Sequence, residues 1–150
     1  APGTAHTFRV THSQPAPDDP PANLDLAFGP LRLLGYTLDR AGAAPGESFE
    51  LRLFWRADER PPEDYTVFVH LLGADNTVWA TDDAYPAATP TTALWAGQVI
   101  ADRHRLQVPD NMPPGWYSVE VGLYRLDTGE RLSLPDGSDR ALIPGFEVRR

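Results

Sequence analysis

The chain has 150 residues, 41% hydrophobic and 23% charged, with a formal net charge of −8 at pH 7, 16 prolines and no cysteine. That length suits one domain with a core of its own, and the missing cysteines exclude disulfides, thiolate nucleophiles and cysteine metal sites. The acidic balance argues against nucleic acid as a partner, because phosphate contact needs a net basic face.

The prolines are about twice the number usual for this length, and an interior proline costs a helix ~3 kcal/mol. Their positions between the apolar runs predict an all-β chain. No apolar run reaches the ~18 residues needed to span a bilayer, and no signal-peptide pattern is expected in this segment. Beginning at Ala1 without a methionine, the chain is expected to be a segment of a longer protein.

Residues 1–22 carry Pro2, Pro15, Pro17, Pro20 and Pro21 beside Asp18 and Asp19. They read as a proline-rich linker or stalk, with Thr7 to Thr11 as a competing first edge strand. The β domain is expected over residues 23–150. Leu24, Leu26 and Phe28 alternate with polar or small residues, Gly29-Pro30 breaks the run, and a second strand follows over Leu31 to Asp39. After the Ala44-Pro45-Gly46 turn, Phe49, Leu51, Leu53 and Trp55 share one face of a third strand, in the period-2 pattern of a half-buried strand. Tyr65 to Leu72 is apolar at nearly every position, which predicts a strand covered on both faces. Gly73 to Asn76 turns the chain into Thr77 to Ala80.

Asp82 to Gly97, with Pro86, Pro90 and Trp95, reads as a long crossover loop. Val99 to Val108 resumes as a strand, and Pro113-Pro114-Gly115 opens the clearest one. There Tyr117, Val119, Val121 and Leu123 alternate with Ser118, Glu120, Gly122 and Tyr124. Asp127-Thr128-Gly129 turns the chain, and Leu132 to Leu134 and Ile143 to Val148 close the domain. Eight or nine strands at this spacing predict an antiparallel β-sandwich, immunoglobulin-like or jelly-roll-like, with Greek-key connections.

Chemistry is sparse. No Gly-x-Ser-x-Gly nucleophile elbow and no phosphate loop occurs, so no catalytic residue and no cofactor is expected. His70 and His104 lie in predicted strands. Were those strands neighbours, the imidazoles could meet, and Asp82, Asp83 or Asp102 could complete a metal shell for a hydrolase. The bland reading is a pair of histidines hydrogen-bonded within the sheets, with no metal. Asp136-Gly137-Ser138-Asp139 reads as a polar turn rather than a calcium loop. Trp55 shares a face with core residues. Trp95, in the loop, and Trp116, out of phase with its strand, are expected to be partly exposed. With Tyr85 and Tyr124 they are candidates to stack on a sugar or anchor a protein, with His70, His104 and Asp102 as hydrogen-bond partners.

Several phrases taken together carry a resemblance. They are Leu34-Gly35-Tyr36 with Pro45-Gly46; Asp64 through Leu71; Pro90-Thr91 with Trp95 and Gly97; Asp102; and Pro114-Gly115-x-Tyr117 through Gly122-Leu123-Tyr124 to Leu132. They resemble the β-sandwich domain at the C-terminus of polytopic membrane glycosyltransferase-like proteins of Chloroflexi-type bacteria. Those proteins are similar to dolichyl-phosphate-mannose protein mannosyltransferases and arabinosyltransferases. The resemblance implies a non-catalytic, extracytoplasmic accessory module tethered to a membrane enzyme, with a glycan or a protein as partner. The proline-rich start would be its stalk, with no membrane insertion of this segment itself.

Overall fold

A computed structural model describes Phe8–Arg9 and residues 22–150. The expected linker over residues 1–22 therefore lies largely outside the described residues. Ten strands are described: β1 (Phe8–Arg9), β2 (Ala22–Phe28), β3 (Leu31–Leu38), β4 (Gly42–Ala43), β5 (Ser48–Ala57), β6 (Tyr65–Leu72), β7 (Val78–Thr81), β8 (Val99–Gln107), β9 (Gly115–Arg125) and β10 (Ala141–Val148). The only helical turns among these residues are two three-residue 3-10 turns, Pro86–Ala88 and Thr91–Ala93. The fold is all-β, a sandwich of two sheets, as the alternation predicts.

One sheet runs β2-β3-β5-β8; the other runs β1-β10-β9-β6-β7, with β4 also pairing β10. The short pairings of β10 with β1 and β4 are parallel, and the other ladders are antiparallel. Between the sheets lies one core. Phe28, Leu33, Leu51, Leu53 and Trp55 come from the first sheet, and Val67, Val69, Leu71, Val119, Val121 and Leu123 from the second. Burying each such side chain contributes about 1.5–3 kcal/mol.

Two bulges adjust which side chains reach that core. In β3 the pairing with β5 slips between Leu33 and Gly35, so Leu31 and Leu33 point inward before the slip and Tyr36 and Leu38 after it. In β10 the slip falls between Ile143 and Phe146, over Pro144-Gly145, a proline at a position where a strand tolerates the lost N–H donor.

The sequence reading errs in three details. Leu132 to Leu134 forms no strand; a single bridge joins Tyr124 to Arg131, the Leu132 N–H bonds the Leu123 carbonyl, and Leu132 and Leu134 then pack on the core without further pairing. β4 is an additional two-residue strand, its pairing fixed only by the approach of β10. The chain also crosses between sheets at several short connections as well as at the long one between β7 and β8.

β6 is buried on both faces. Its inner residues enter the core, and Phe68 on its outer face lies beneath the Arg131 guanidinium, 4.2 Å from the ring centroid. β8 is an edge strand, and the β7–β8 crossover runs along it, which protects an edge that would otherwise present unpaired backbone groups.

Candidate functional site

The charged residues of greatest interest converge on the start of that crossover, where Asp82 and Asp83 turn to different sides of the molecule. β8 alternates cleanly, with even-numbered residues inward. It therefore carries Asp102 and His104 on its inner face, opposite Leu53 and Leu51 of β5. Both are 1% exposed. His104 Nε2 lies 2.7 Å from Asp102 Oδ2. His104 Nδ1 lies 2.9 Å from both the carbonyl and Oδ2 of Asp82. Asp102 also accepts from the Trp55 indole N–H at 3.2 Å and, through Oδ1, from the Ala87 backbone N–H at 2.8 Å. Both nitrogens of this imidazole face only acceptors, so both donate and the ring is an imidazolium. Burial opposes that charge, but the Asp102 hydrogen bond and the charges of Asp102 and Asp82 outweigh it and raise the His104 pKa.

Asp83 serves the other histidine. His70 stands on the outer face of β6, its Nδ1 2.9 Å from Glu120 Oε1 and its Nε2 3.1 Å from Asp83 Oδ1. Burial again opposes the cation, yet the bonds to Asp83 and Glu120 lift the His70 pKa to about 9. Glu120 is 3% exposed and accepts from Arg131 and Arg140 as well. Burial pushes its pKa up, but His70, Arg140 and Arg131 together bring it down to about 2. Tyr124 donates its hydroxyl to Asp83 at 3.2 Å. The Asp83 pKa is lowered against burial, chiefly by His70.

The meeting of the two imidazoles, conditional on neighbouring strands, does not occur. β6 and β8 belong to different sheets; His104 faces the core from one, and His70 faces outward from the other. Each carboxylate of the Asp82-Asp83 pair holds one histidine. Among the described residues no group of three or more histidines and carboxylates is arranged to hold a metal ion.

Three open clefts surround this corner. The largest, of about 580 Å³, runs along the β8 edge and is lined by Arg52, Ala101 and Arg103 on one side and by Asp82, Tyr85, Ala87 and Ala88 on the other. A second, of about 350 Å³, is lined by Glu63, Asp64, Tyr85, Arg125, Leu126 and Asp127. The third, of about 190 Å³, holds Phe68, His70, Asp83, Tyr124 and Arg131.

In the first cleft the carboxylates are largely occupied by His104, Trp55 and backbone N–H groups. The Arg52 guanidinium makes no hydrogen bond or ion pair with any described residue, whereas Arg103 pairs with Glu50 at 3.1 Å. Tyr85 is firmly planted. The preceding Ala84 exchanges both backbone hydrogen bonds with Val67, and the following Pro86 is buried. The Tyr85 hydroxyl has no partner among the described residues. Beside it, Ala87 and Ala88 both adopt positive φ, 51° and 58°, a conformation costing an L-residue roughly 1–2 kcal/mol. The Ala87 N–H bond to Asp102 holds them there. This strain lies on the wall of a cleft, which is where strained backbone tends to collect.

Of the aromatic candidates, only Tyr85 and Tyr124 line these clefts. Trp95 and Trp116 are 62% and 68% exposed but stand at opposite ends of the sandwich. Trp95 follows the turn tied to Glu63 and Tyr65 by Thr91, at the end where β6 starts and β9 finishes. Trp116 lies at the start of β9, opposite Glu147. They form no common platform. The residues that sequence reasoning missed are Arg52, Arg103 and the Ala87-Ala88 pair. No local pattern marks them, because a cross-strand register and a loop returning to β8 bring them together.

No protein-family model matches the chain, and no curated protein matches it. Among solved structures, the C-terminal domain of Wzt superposes with a TM-score of 0.57 at 10% identity, over 92% of this chain and 80% of that one. The alkylpurine DNA glycosylase AlkC of Pseudomonas fluorescens, bound to DNA containing an abasic-site analogue, superposes with a TM-score of 0.51 at 19% identity. That alignment covers 83% of this chain and 32% of the glycosylase, so the chain spans about a third of that enzyme's length. At these identities the likeness is one of fold: a β-sandwich that makes up most of one chain and a minor part of another.

Proposed function

We propose that this β-sandwich is a non-catalytic accessory module of a membrane glycosyltransferase-like protein, held outside the cytoplasm, and that it binds a glycan. The observation that carries the glycan reading is the cleft along β8. A tyrosine on a firmly held backbone offers its ring and a free hydroxyl, an unpaired arginine lines the same opening, and alanines leave the space between them clear. A few polar groups fixed around an aromatic wall is the arrangement that orients a small polar ligand. Sugar hydroxyls need both donors and acceptors, and Arg52, Tyr85 and the remaining lone pairs of Asp82 offer both. The membrane and extracytoplasmic part of the reading rests on the resemblance in residues 31 to 145. Among the described residues no helix is long and apolar enough to cross a membrane. The net charge of −8 disfavours the nucleic acid that the glycosylase binds.

A glycan array probed with the domain tests the reading. Tyr85→Ala should weaken any glycan binding about tenfold or more, the loss of a central aromatic contact. Trp95→Ala and Trp116→Ala should leave it unchanged. An array without a single retained glycan would reject the binding role. Separately, the gene encoding the parent protein should carry membrane spans upstream of this domain; a parent without them would remove the tethered-module reading.

A further inference from the structure

Tyr85 lines two clefts at once. It lines the 580 Å³ cleft with Arg52 and Arg103, and it also borders the 350 Å³ cleft of Glu63, Asp64, Arg125, Leu126 and Asp127. The two therefore adjoin at this one side chain. Each falls in the range of small-ligand sites, and each has its own polar groups. On the first side Arg52 is the free donor. On the second, Arg125 pairs with Glu63 at 2.8 Å and Asp127 at 3.1 Å, while the Asp64 carboxylate accepts from the backbone N–H and hydroxyl of Thr92. Leu126, 69% exposed, gives the second side an apolar surface on which the carbon face of a pyranose can lie. The Tyr85 main chain is held from both sides, by the Ala84–Val67 bridge and by the Ala88 N–H bond to the Tyr85 carbonyl. A fixed divider between two polar clefts suits a chain laid across it better than a single ring seated on one side.

We infer that the ligand is an oligosaccharide of two or more residues that straddles Tyr85, with one subsite at Arg52 and a second at Arg125 and Leu126. This rests on the glycan-binding reading above. Each subsite supplies its own contacts, and a preorganised wall between them avoids ordering losses when the second residue engages. Affinity should therefore rise with chain length up to the number of subsites and then level off.

Isothermal titration of the domain with mannose, galactose and galacturonic acid, each as mono-, di-, tri- and tetrasaccharide, provides the test. For any sugar that binds, the Kd should fall about tenfold from mono- to disaccharide and change little beyond the disaccharide. Arg52→Gln and Arg125→Gln should each weaken the disaccharide, and only one of them the monosaccharide. Leu126→Ser, a change at an exposed position that the fold does not need, should weaken the disaccharide in the same pattern as Arg125→Gln. A Kd that is the same for monosaccharides and longer chains, or second-cleft variants that leave every Kd unchanged, would overturn the two-subsite inference while leaving glycan binding in place. Failure of all the probes to bind, together with an array that retains no glycan, would remove both.

Discussion

Asp102 is the residue on which the interior polar network turns, because one carboxylate accepts from a core tryptophan, an imidazolium and a strained backbone amide. Asp102→Ala would strand the Trp55 and Ala87 N–H groups and leave the buried His104 cation without its closest partner. Breaking a buried charged pair in this way costs about 3–5 kcal/mol, and urea unfolding of the variant should show a loss of that size. A loss under ~1 kcal/mol would mean that the network contributes little. The titrating residues give the protein a preferred pH range. The folded pKa of His70, about 9, stands above 6.5, so its contribution is complete below pH 6.5 and is lost as pH rises through 9. The folded pKa of Glu120, about 2, stands below 4.5, so its contribution is complete above pH 4.5 and is lost as pH falls through 2. His104, also raised, adds to the alkaline loss. Scanning calorimetry should find the highest Tm between pH 4.5 and 6.5 and a decline toward pH 9, which His70→Gln should flatten. A wild-type Tm that does not change across that alkaline range would contradict the assignment.

At the scale of elements, the pairing of β6 with β9 depends on a glycine. Gly122 lies opposite Phe68, and a Cβ added there would run into the Phe68 ring and come within 3.2 Å of the Asp139 carbonyl. The backbone conformation is ordinary, so the constraint is space alone. Gly122 lets Phe68 lie flat on the sheet, with Arg131 stacked over it and the connection between β9 and β10 closing above. Gly122→Ala should cost about 1–3 kcal/mol through overpacking, measured by denaturant unfolding, and should loosen Arg131 from Glu120. Thermal or chemical stability equal to wild type would show that this layer yields freely. Gly122 was legible in the sequence only as an outward position of an alternating strand. Its packing role depends on Phe68, Arg131 and Asp139, a combination that no strand periodicity encodes.

For the whole molecule, two sheets with one core arise from side chains that alternate along nearly every strand, and the sequence carries that alternation openly. Phe49 to Trp55 and Tyr117 to Leu123 reach the core in the expected phase because a strand's side-chain period of two leaves them no other choice once one face is buried. The doubly covered β6 was legible for the same reason, from its unbroken apolar run. The candidate site was legible only as a set of residue types. His70, His104, Asp82, Asp83, Asp102 and Tyr85 are conspicuous in a chain so poor in reactive groups, but their partners are decided by which sheet each strand joins. Placing β6 and β8 in different sheets separates the histidines, and the crossover between β7 and β8 then gives each of them one aspartate. The order of strands depends on long-range pairing, to which local pattern is blind. The sequence by itself therefore determined the β class, the strand phases and the turns, which are consequences of local sterics and of burying one face. Tertiary structure alone decided the charge networks and the clefts that adjoin at Tyr85, because these depend on contacts between residues far apart in the chain.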